Sequence, residues 1–390
     1  MNPTERRALA GLASLYVFRM LGLFMVLPVL SLYGTDYIGS TPALLGLALG
    51  AYGLSQAILQ IPLGMLSDSW GRKPVIYTGL VIFALGSVVA AATDSVYGLI
   101  AGRMLQGAGA IAAATMALAA DLTRDENRGK AMAVIGASIG VAFVLAVVLG
   151  PLLAAAGGLP AIFWLTALLA LLGILLVWKL VPNPNRAERR APQPGDFRKL
   201  LGQAPVWRLV GGVFALHLLL TMMFVPLPLL LVEELHLASN LHWKLYAPLM
   251  LGAFIFMLPL MRMAEKRSKV PAAMRLALLG LVFGGVALMP QVHGTWIIVC
   301  LGVFFLAFNL LEALLPAQLT RVAPAECRGA ATGLYATFQF LGAFVGGTLG
   351  GVAFGHGGAG SVATLALGVL LLWSLGWWQM RASRTPVVSS

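Results

Sequence analysis

Three kinds of side chain in this sequence are out of place unless they do chemistry. Glu312 stands in a long apolar run with Asn309 one turn before it, and it is the only acid set so deep. His217 is the only histidine well inside another such run, and an imidazole titrates near neutrality. Arg19 and Arg103 are bases in equally apolar surroundings, and Gln106 follows Arg103 on the same helix face. An arginine at mid-membrane costs about 2.5–3.5 kcal/mol on insertion scales, so each should face an interior cavity, paired or solvated. Burial and nearby arginines act on a carboxyl in opposite senses, which can poise Glu312 for proton exchange. The plainer alternatives are a permanent Glu–Arg salt bridge, a hydrogen-bonded structural histidine, and arginines tied to backbone carbonyls.

Residues of this kind need helices that cross a low-dielectric layer, and the composition supplies them. Of 390 residues 59% are hydrophobic and only 10% charged, with mean hydropathy +0.90; soluble domains carry about 25% charged residues. Twelve apolar segments of spanning length are predicted, roughly 8–33, 43–66, 74–93, 96–121, 129–155, 160–181, 206–232, 243–263, 272–290, 295–319, 329–354 and 360–381. The first is too long for a signal-peptide core and lacks a small-x-small cleavage site, so it is an uncleaved span. The even number puts both termini on one side, Arg381 and Arg384 included. With that side cytoplasmic, Lys244 is the only external base among the 26 Lys and Arg, because Arg19 and Arg103 lie within spans. The net charge of +12 therefore sets topology and does not imply a nucleic-acid partner. Trp178, Trp207, Trp377 and Trp378 fall near the cytoplasmic interface, and Trp243 and Trp296 near the outer one. The acidic stretch from Glu233 to His242 is expected to form a small external cap.

The second and third spans are joined by Gly64-Met65-Leu66-Ser67-Asp68-Ser69-Trp70-Gly71-Arg72-Lys73-Pro74. So short a turn makes the two helices antiparallel neighbours. Gly64 and Gly71 permit close approach and positive φ, Pro74 suits a first helical turn, and Arg72 and Lys73 hold the loop on the cytoplasmic side. Asp121 and Arg128 lie at the same ends of spans four and five, so Asp68, Arg72, Asp121 and Arg128 can form one cluster. The alternative is topology-setting surface charge.

The widest hydrophilic gap, Pro182 to Pro205, carries Arg186, Arg189, Arg190, Arg198 and Lys199 and divides the spans six and six. The expected organisation is a six-helix bundle over 1–181, a cytoplasmic linker over 182–205 and a second bundle over 206–390. Phe197 to Leu201 in the linker could lie on the membrane surface as an amphipathic turn. The halves echo each other: Leu122-Thr123-Arg124 then Arg128-Gly129 recurs as Leu319-Thr320-Arg321 then Arg328-Gly329. Cys300 and Cys327 imply neither a disulfide framework nor a metal site. No H-E-x-x-H pair or Walker loop is present, so metal or nucleotide-driven chemistry has no visible support. The chain reads as a non-enzyme without cofactor or metal.

The pattern G-x-x-x-D-x-x-G-R-K from Gly64 to Lys73 resembles motif A of the major facilitator superfamily. Arg103 to Ala110 resembles motif B of its drug/proton exporters, and Gly136, Gly140, Gly150-Pro151 and Gly157-Gly158 resemble motif C of the antiporters. Phe18 to Gly22, Phe24 to Leu30 and Ala307 to Pro316 are similar to the YajR branch of bacterial exporters. Members of that branch usually carry a C-terminal ferredoxin-like domain that is not part of this sequence. The resemblance implies an all-α membrane protein of twelve transmembrane helices in two pseudo-symmetric six-helix bundles, with a binding site between them near the midplane. It also implies a latch at Asp68, Arg72, Asp121 and Arg128, and a packing or hinge role for Gly140, Gly150 and Pro151.

The expected function is proton-coupled export of a small amphiphilic molecule across the bacterial inner membrane by alternating access, by a monomer among membrane lipids. Glu312, with His217, carries the proton; Arg19, Arg103, Gln106 and Asn309 line the substrate cavity, the arginines also tuning the acid. Two cavity arginines against one acid suggest an anionic, zwitterionic or neutral amphiphile. The alternatives are a lipid or lysolipid translocase of the same fold and a non-transporting membrane sensor.

Overall fold

The computed structural model describes residues 1–183, 194–266, 269–324 and 327–378; the side chains of residues 125, 194–197 and 376–378 lie outside that description. The first helix, α1, covers Pro3–Phe24. It starts on a capping box, in which Asn2 Oδ1 accepts from the Glu5 amide at 2.7 Å and Glu5 accepts from the Asn2 amide at 2.8 Å. That reciprocal cap satisfies first-turn amides, which is why the helix begins five residues before the apolar run expected from 8 onward.

There follow α2 (Leu30–Tyr33), α3 (Pro42–Ser69), α4 (Arg72–Ala92), α5 (Val96–Ala108), α6 (Ala112–Asp121) and α7 (Asp125–Leu180). After α8 (Pro194–Leu201) come α9 (Ala204–Met223), α10 (Leu227–Glu233), α11 (Trp243–Lys266), α12 (Val270–Gly285), α13 (Thr295–Val322) and α14 (Arg328–Trp378). The pairs α1–α2, α5–α6 and α9–α10 are single spans with a short interruption. The long helices α7 and α14 are each two spans, so the described residues supply twelve spans. Gly157 and Gly158 break α7 at φ, ψ of −160°, 27° and 65°, −164°; Gly357 and Gly358 break α14 at −155°, 28° and 63°, −156°. The same two backbone states recur at the same place in each half. Only glycine adopts the second of them without strain.

Thr41 caps α3 by accepting from the Leu44 amide, and Ser95 caps α5 through Tyr97. Helix α3 runs on through Gly64 and Asp68 to Ser69, so the turn into α4 is only Trp70 and Gly71. The expectation of a turn starting at Gly64 is corrected accordingly. Gly71 has φ +102°, whereas Gly64 is helical and lets α3 approach Ala113 of α6. The linker residues 184–193, with Arg186, Arg189 and Arg190, lie outside the described residues, as do Arg381 and Arg384 and the Trp377 and Trp378 side chains. The surface turn expected at Phe197 to Leu201 belongs to α8, with Leu200 buried and Arg198 and Lys199 exposed.

In one half α1 packs on α7, α4 on α5 and α7, and α3 on α5; in the other α14 packs on α9, and α12, α11 and α9 on α13. The seam between them is α3 against α14 and α7 against α11. It is built on small residues, as close helix approach in a bilayer requires. A Cβ on Gly46 would fall 2.3 Å from Gly347 O, and one on Gly50 2.5 Å from Phe344 O. At the end remote from Arg72, the Tyr33 and Ser239 hydroxyls meet at 3.1 Å across the seam. Ser239 sits in a 3-10 turn, Ser239–Leu241, inside the stretch expected to form a cap. Large side chains such as Ile255, Phe256, Leu276 and Leu372 point outward, the dress of a lipid-facing surface. Among the described residues the only β pairing is an isolated bridge between Ile38 and Ser95.

Candidate functional site

Two polar groups stand inside the apolar helices, one in each half. The first is organised by α3. Its residues Tyr52, Gln56 and Gln60 recur every four positions and so share one face. Arg19 of α1 reaches this face: its NH2 donates to Gln56 Oε1 and, at 3.1 Å, to Gly109 O. Gln56 passes the chain on by donating to Gln60 Oε1 at 2.7 Å. The Gly109 carbonyl is available because the fourth span is interrupted between α5 and α6, a break of a kind that transporters tolerate where backbone lines a site.

Arg103 of α5 lies against the same face. It donates to Gln106 Oε1 at 3.0 Å and to Ala48 O at 3.4 Å, and its guanidinium sits 5.1 Å from the centroid of the Tyr52 ring. Gln106 then donates to Ser87 Oγ at 2.8 Å, and Ser87 donates to Phe83 O at 2.7 Å. Arg19 is 3% exposed and Arg103 1%. Among the described residues neither has a carboxylate partner; both are held by amides, carbonyls and a ring. The Arg103–Gln106 contact expected from the sequence is present. Tyr52, Gln56, Gln60 and Ser87 were not singled out.

The second group joins three helices. Gln339 of α14 donates from one amide nitrogen to Glu312 Oε1 at 3.2 Å and to His217 Nε2 at 2.8 Å. His217 of α9 places Nδ1 3.2 Å from Val213 O, and Nε2 3.8 Å from Glu312 Oε2. This arrangement matches a neutral imidazole with its proton on Nδ1, leaving Nε2 to accept. The Glu312 side chain is 33% exposed and that of His217 11%. The sequence joined Glu312 to His217 with the arginines tuning the acid, a Glu–Arg salt bridge being the alternative; the structure sets His217 and an amide beside it and no ion pair with Arg19 or Arg103. Gln339 was missed altogether. Asn309 is half-buried one turn from Glu312 and takes no part in these bonds.

At the remaining candidate positions, Arg72 is ion-paired with Asp68 and bonded from Nε to Asp121 Oδ2 at 3.2 Å, while NH1 donates to Ser67 Oγ at 2.6 Å. Three spans thus meet at one guanidinium. Arg128 is half-buried in the first turn of α7. Another junction there was not foreseen: Glu5, 4% exposed, accepts from the Arg124 amide at 3.0 Å and its Nε at 3.1 Å. Gly140 faces Phe254 of α11, and Gly150 faces Met25 O. Helix α7 is regular through Gly150-Pro151 and breaks only at Gly157 and Gly158. The string Gly136-Ala137-Ser138-Ile139-Gly140 spells a hydrolase-like G-x-S-x-G. It lies within that helix, with Ser138 donating to Val134 O at 2.8 Å, where a nucleophile would need a strand-to-helix elbow.

The comparisons agree with this architecture. The family model described as Major Facilitator Superfamily matches residues 12–347. The chain is 46% identical over 355 residues to the inner membrane transport protein YajR of Escherichia coli K12, covering 90% of this chain and 78% of that protein. It is 27% identical over 346 residues to the quinolone resistance protein NorA of Staphylococcus aureus MSSA476, covering 86% of each. Among solved structures, a bacterial homologue of the human lysosomal transporter Spinster, in an inward-facing and occupied conformation, superimposes with TM-score 0.78. Its identity is 14% and 97% of each chain is covered.

Proposed function

The chain belongs to the Major Facilitator Superfamily, whose members are transporters and not enzymes, and from that premise we propose that it exports a small amphiphilic molecule in exchange for protons. The setting is the bacterial inner membrane, with both termini cytoplasmic as the distribution of Lys and Arg requires. Residues 1–181 and 206–390 are the halves that rock about a central site, joined by the linker 182–205. The relative names fit: one is an inner membrane transport protein and another confers quinolone resistance.

The observation that carries the reading is the group Glu312–Gln339–His217. An intramembrane carboxyl that is one-third exposed, beside a histidine and with no arginine on it, is a group that can exchange protons with an aqueous path. Gln339 binds both titrating side chains through one nitrogen, so a change of charge on either alters what the amide offers the other. Gln339 sits on α14, the helix that forms the seam with α3. A proton on Glu312 thereby biases the contact between the halves, which is what alternating access needs. The cluster of Asp68, Arg72, Asp121 and Arg128 acts at the opposite end of α3 as the latch of one end state.

The test is proton movement in proteoliposomes under an imposed pH gradient, with a panel of amphiphiles, for the wild type and Glu312→Gln. Compound-dependent proton flux in the wild type that is lost in the variant is expected. Equal flux in both would remove Glu312 from coupling, and a wild type that moves compounds without protons would remove antiport.

A further inference from the structure

We infer that Arg19, with the α3 face of Tyr52, Gln56 and Gln60, is the receptor for an acidic group, a carboxylate or sulfonate, on the transported amphiphile. The inference rests on the transport reading above and deepens it by naming the charge of the substrate.

Of the three nitrogens of Arg19 only NH2 is engaged; Nε and NH1 are buried and have no hydrogen-bond partner, and the same holds for Arg103 NH2 and the Tyr52 hydroxyl. Buried polar groups are ordinarily satisfied, and a buried cation is ordinarily paired. Here two cations, on α1 and α5, lie against α3 with neutral partners only and with donors unused. The one acid at comparable depth, Glu312, lies in the other half, with Oε1 accepting from Gln339 and Oε2 buried 3.8 Å from His217 Nε2 without a hydrogen bond. An anion brought in from outside would complete the set: it supplies the missing charge and accepts from the idle donors. Guanidinium is also the group best matched to a carboxylate-like partner.

The local backbone is arranged for the same partner. Arg19 touches the carbonyl of Gly109 at the break in the fourth span, and α6, whose N-terminal end carries positive partial charge, begins three residues later at Ala112. The route to this place is the seam. The Tyr52 ring lies edge-on to Phe340 of α14, centroids 6.2 Å apart, and Phe340 follows Gln339. Moving α14 off α3 uncovers the row at Tyr52 and displaces the amide that holds Glu312. The anion subsite and the proton group thus share a moving wall while residing in different halves.

Three probes with one aromatic ring and different charges test this: 2-naphthalenesulfonate, 2-naphthol and 2-naphthyltrimethylammonium, added to the purified full chain in nanodiscs, with binding read by tryptophan fluorescence and corrected with empty discs. The wild type should favour the sulfonate over the cation by at least about tenfold, the loss expected for one charge-assisted contact. Arg19→Gln should abolish that preference, and Arg19→Lys should retain part of it. Glu312→Gln should keep sulfonate binding while losing proton flux, which separates this inference from the coupling reading. Equal sulfonate affinity in Arg19→Gln, a wild-type preference for the cation, or no sulfonate binding up to its solubility limit would each overturn it. The wild-type selectivity decides the matter even where Arg19→Gln does not fold.

Discussion

The two polar groups inside this bundle solve opposite problems. In the first half Arg19 and Arg103 are almost wholly enclosed and held by Gln56, Gln106, Ala48, Gly109 and the Tyr52 ring. In the second half Glu312 is partly exposed, His217 is buried beside it, and the two share one Gln339 nitrogen. Guanidinium stays protonated at any working pH, so the first group is a fixed charge and can be packed like a structural element. In the proposed proton cycle carboxylate and imidazole gain and lose protons, a role that calls for access and few partners. On the proposed reading, a proton changes the contact between the halves while the charge offered to substrate stays constant.

The largest effect that would break this contrast is on stability. Arg103→Ala removes the bonds to Gln106 and Ala48 and the stacking on Tyr52, and opens a void in a fully buried position. Cavity and unsatisfied-acceptor terms together suggest a loss of about 2–3 kcal/mol, seen as a fall of several degrees in the melting temperature of the detergent-purified protein. Glu312→Gln keeps an acceptor for Gln339 and should stay within about 0.5 kcal/mol of the wild type. Equal destabilisation by both would mean that the two groups are structural alike.

A second experiment concerns coupling inside the titrating half. Gln339→Leu removes the donor shared by Glu312 and His217 and should lower proton-coupled flux about tenfold, in keeping with interaction energies near 1.4 kcal/mol for residues of one network. The double variant with Glu312→Gln should be no slower than Glu312→Gln alone. Additive losses would show Gln339 acting independently of the acid, through the α3–α14 seam only.

Much of this was legible beforehand, and the reason differs from place to place. Apolar runs located the spans, and Gly157-Gly158 fell in an expected external loop because a glycine pair interrupts an otherwise continuous run. Arg19, Arg103 and Glu312 announced themselves through the cost of charge in hydrocarbon. Gln56, Gln60, Ser87 and Gln339 did not, because a neutral amide or hydroxyl in a spanning helix carries a small cost and looks like packing. A signal did exist: Tyr52, Gln56 and Gln60 recur every four residues, and Gln339 is the one amide in its span. The partner of Glu312 was read only in part. His217 was joined to it as the second titrating group and an arginine salt bridge was the alternative, while the bridging amide depends on how α9, α13 and α14 converge. The Glu5–Arg124 junction was hidden for the same reason, since four spans separate the two residues in the sequence.

The smallest predicted effect tests whether the first half is as rigid as its bonding indicates. Ser87 accepts from Gln106 and donates to Phe83 O, so it is the last link of the Arg103 network and touches neither arginine. Ser87→Ala leaves one Gln106 proton without an acceptor in a site closed to water. The expected cost is about 1 kcal/mol, that of one buried hydrogen bond, measured as a shift in the denaturation midpoint. Because the charges stay where they are, proton-coupled flux and its pH dependence should match the wild type. A changed pH profile in Ser87→Ala would mean that proton traffic reaches the arginine side, and the division between a fixed and a titrating half would fall. Unchanged flux with the expected loss of stability would sharpen it, since the network would then hold the arginines without taking part in the proton cycle.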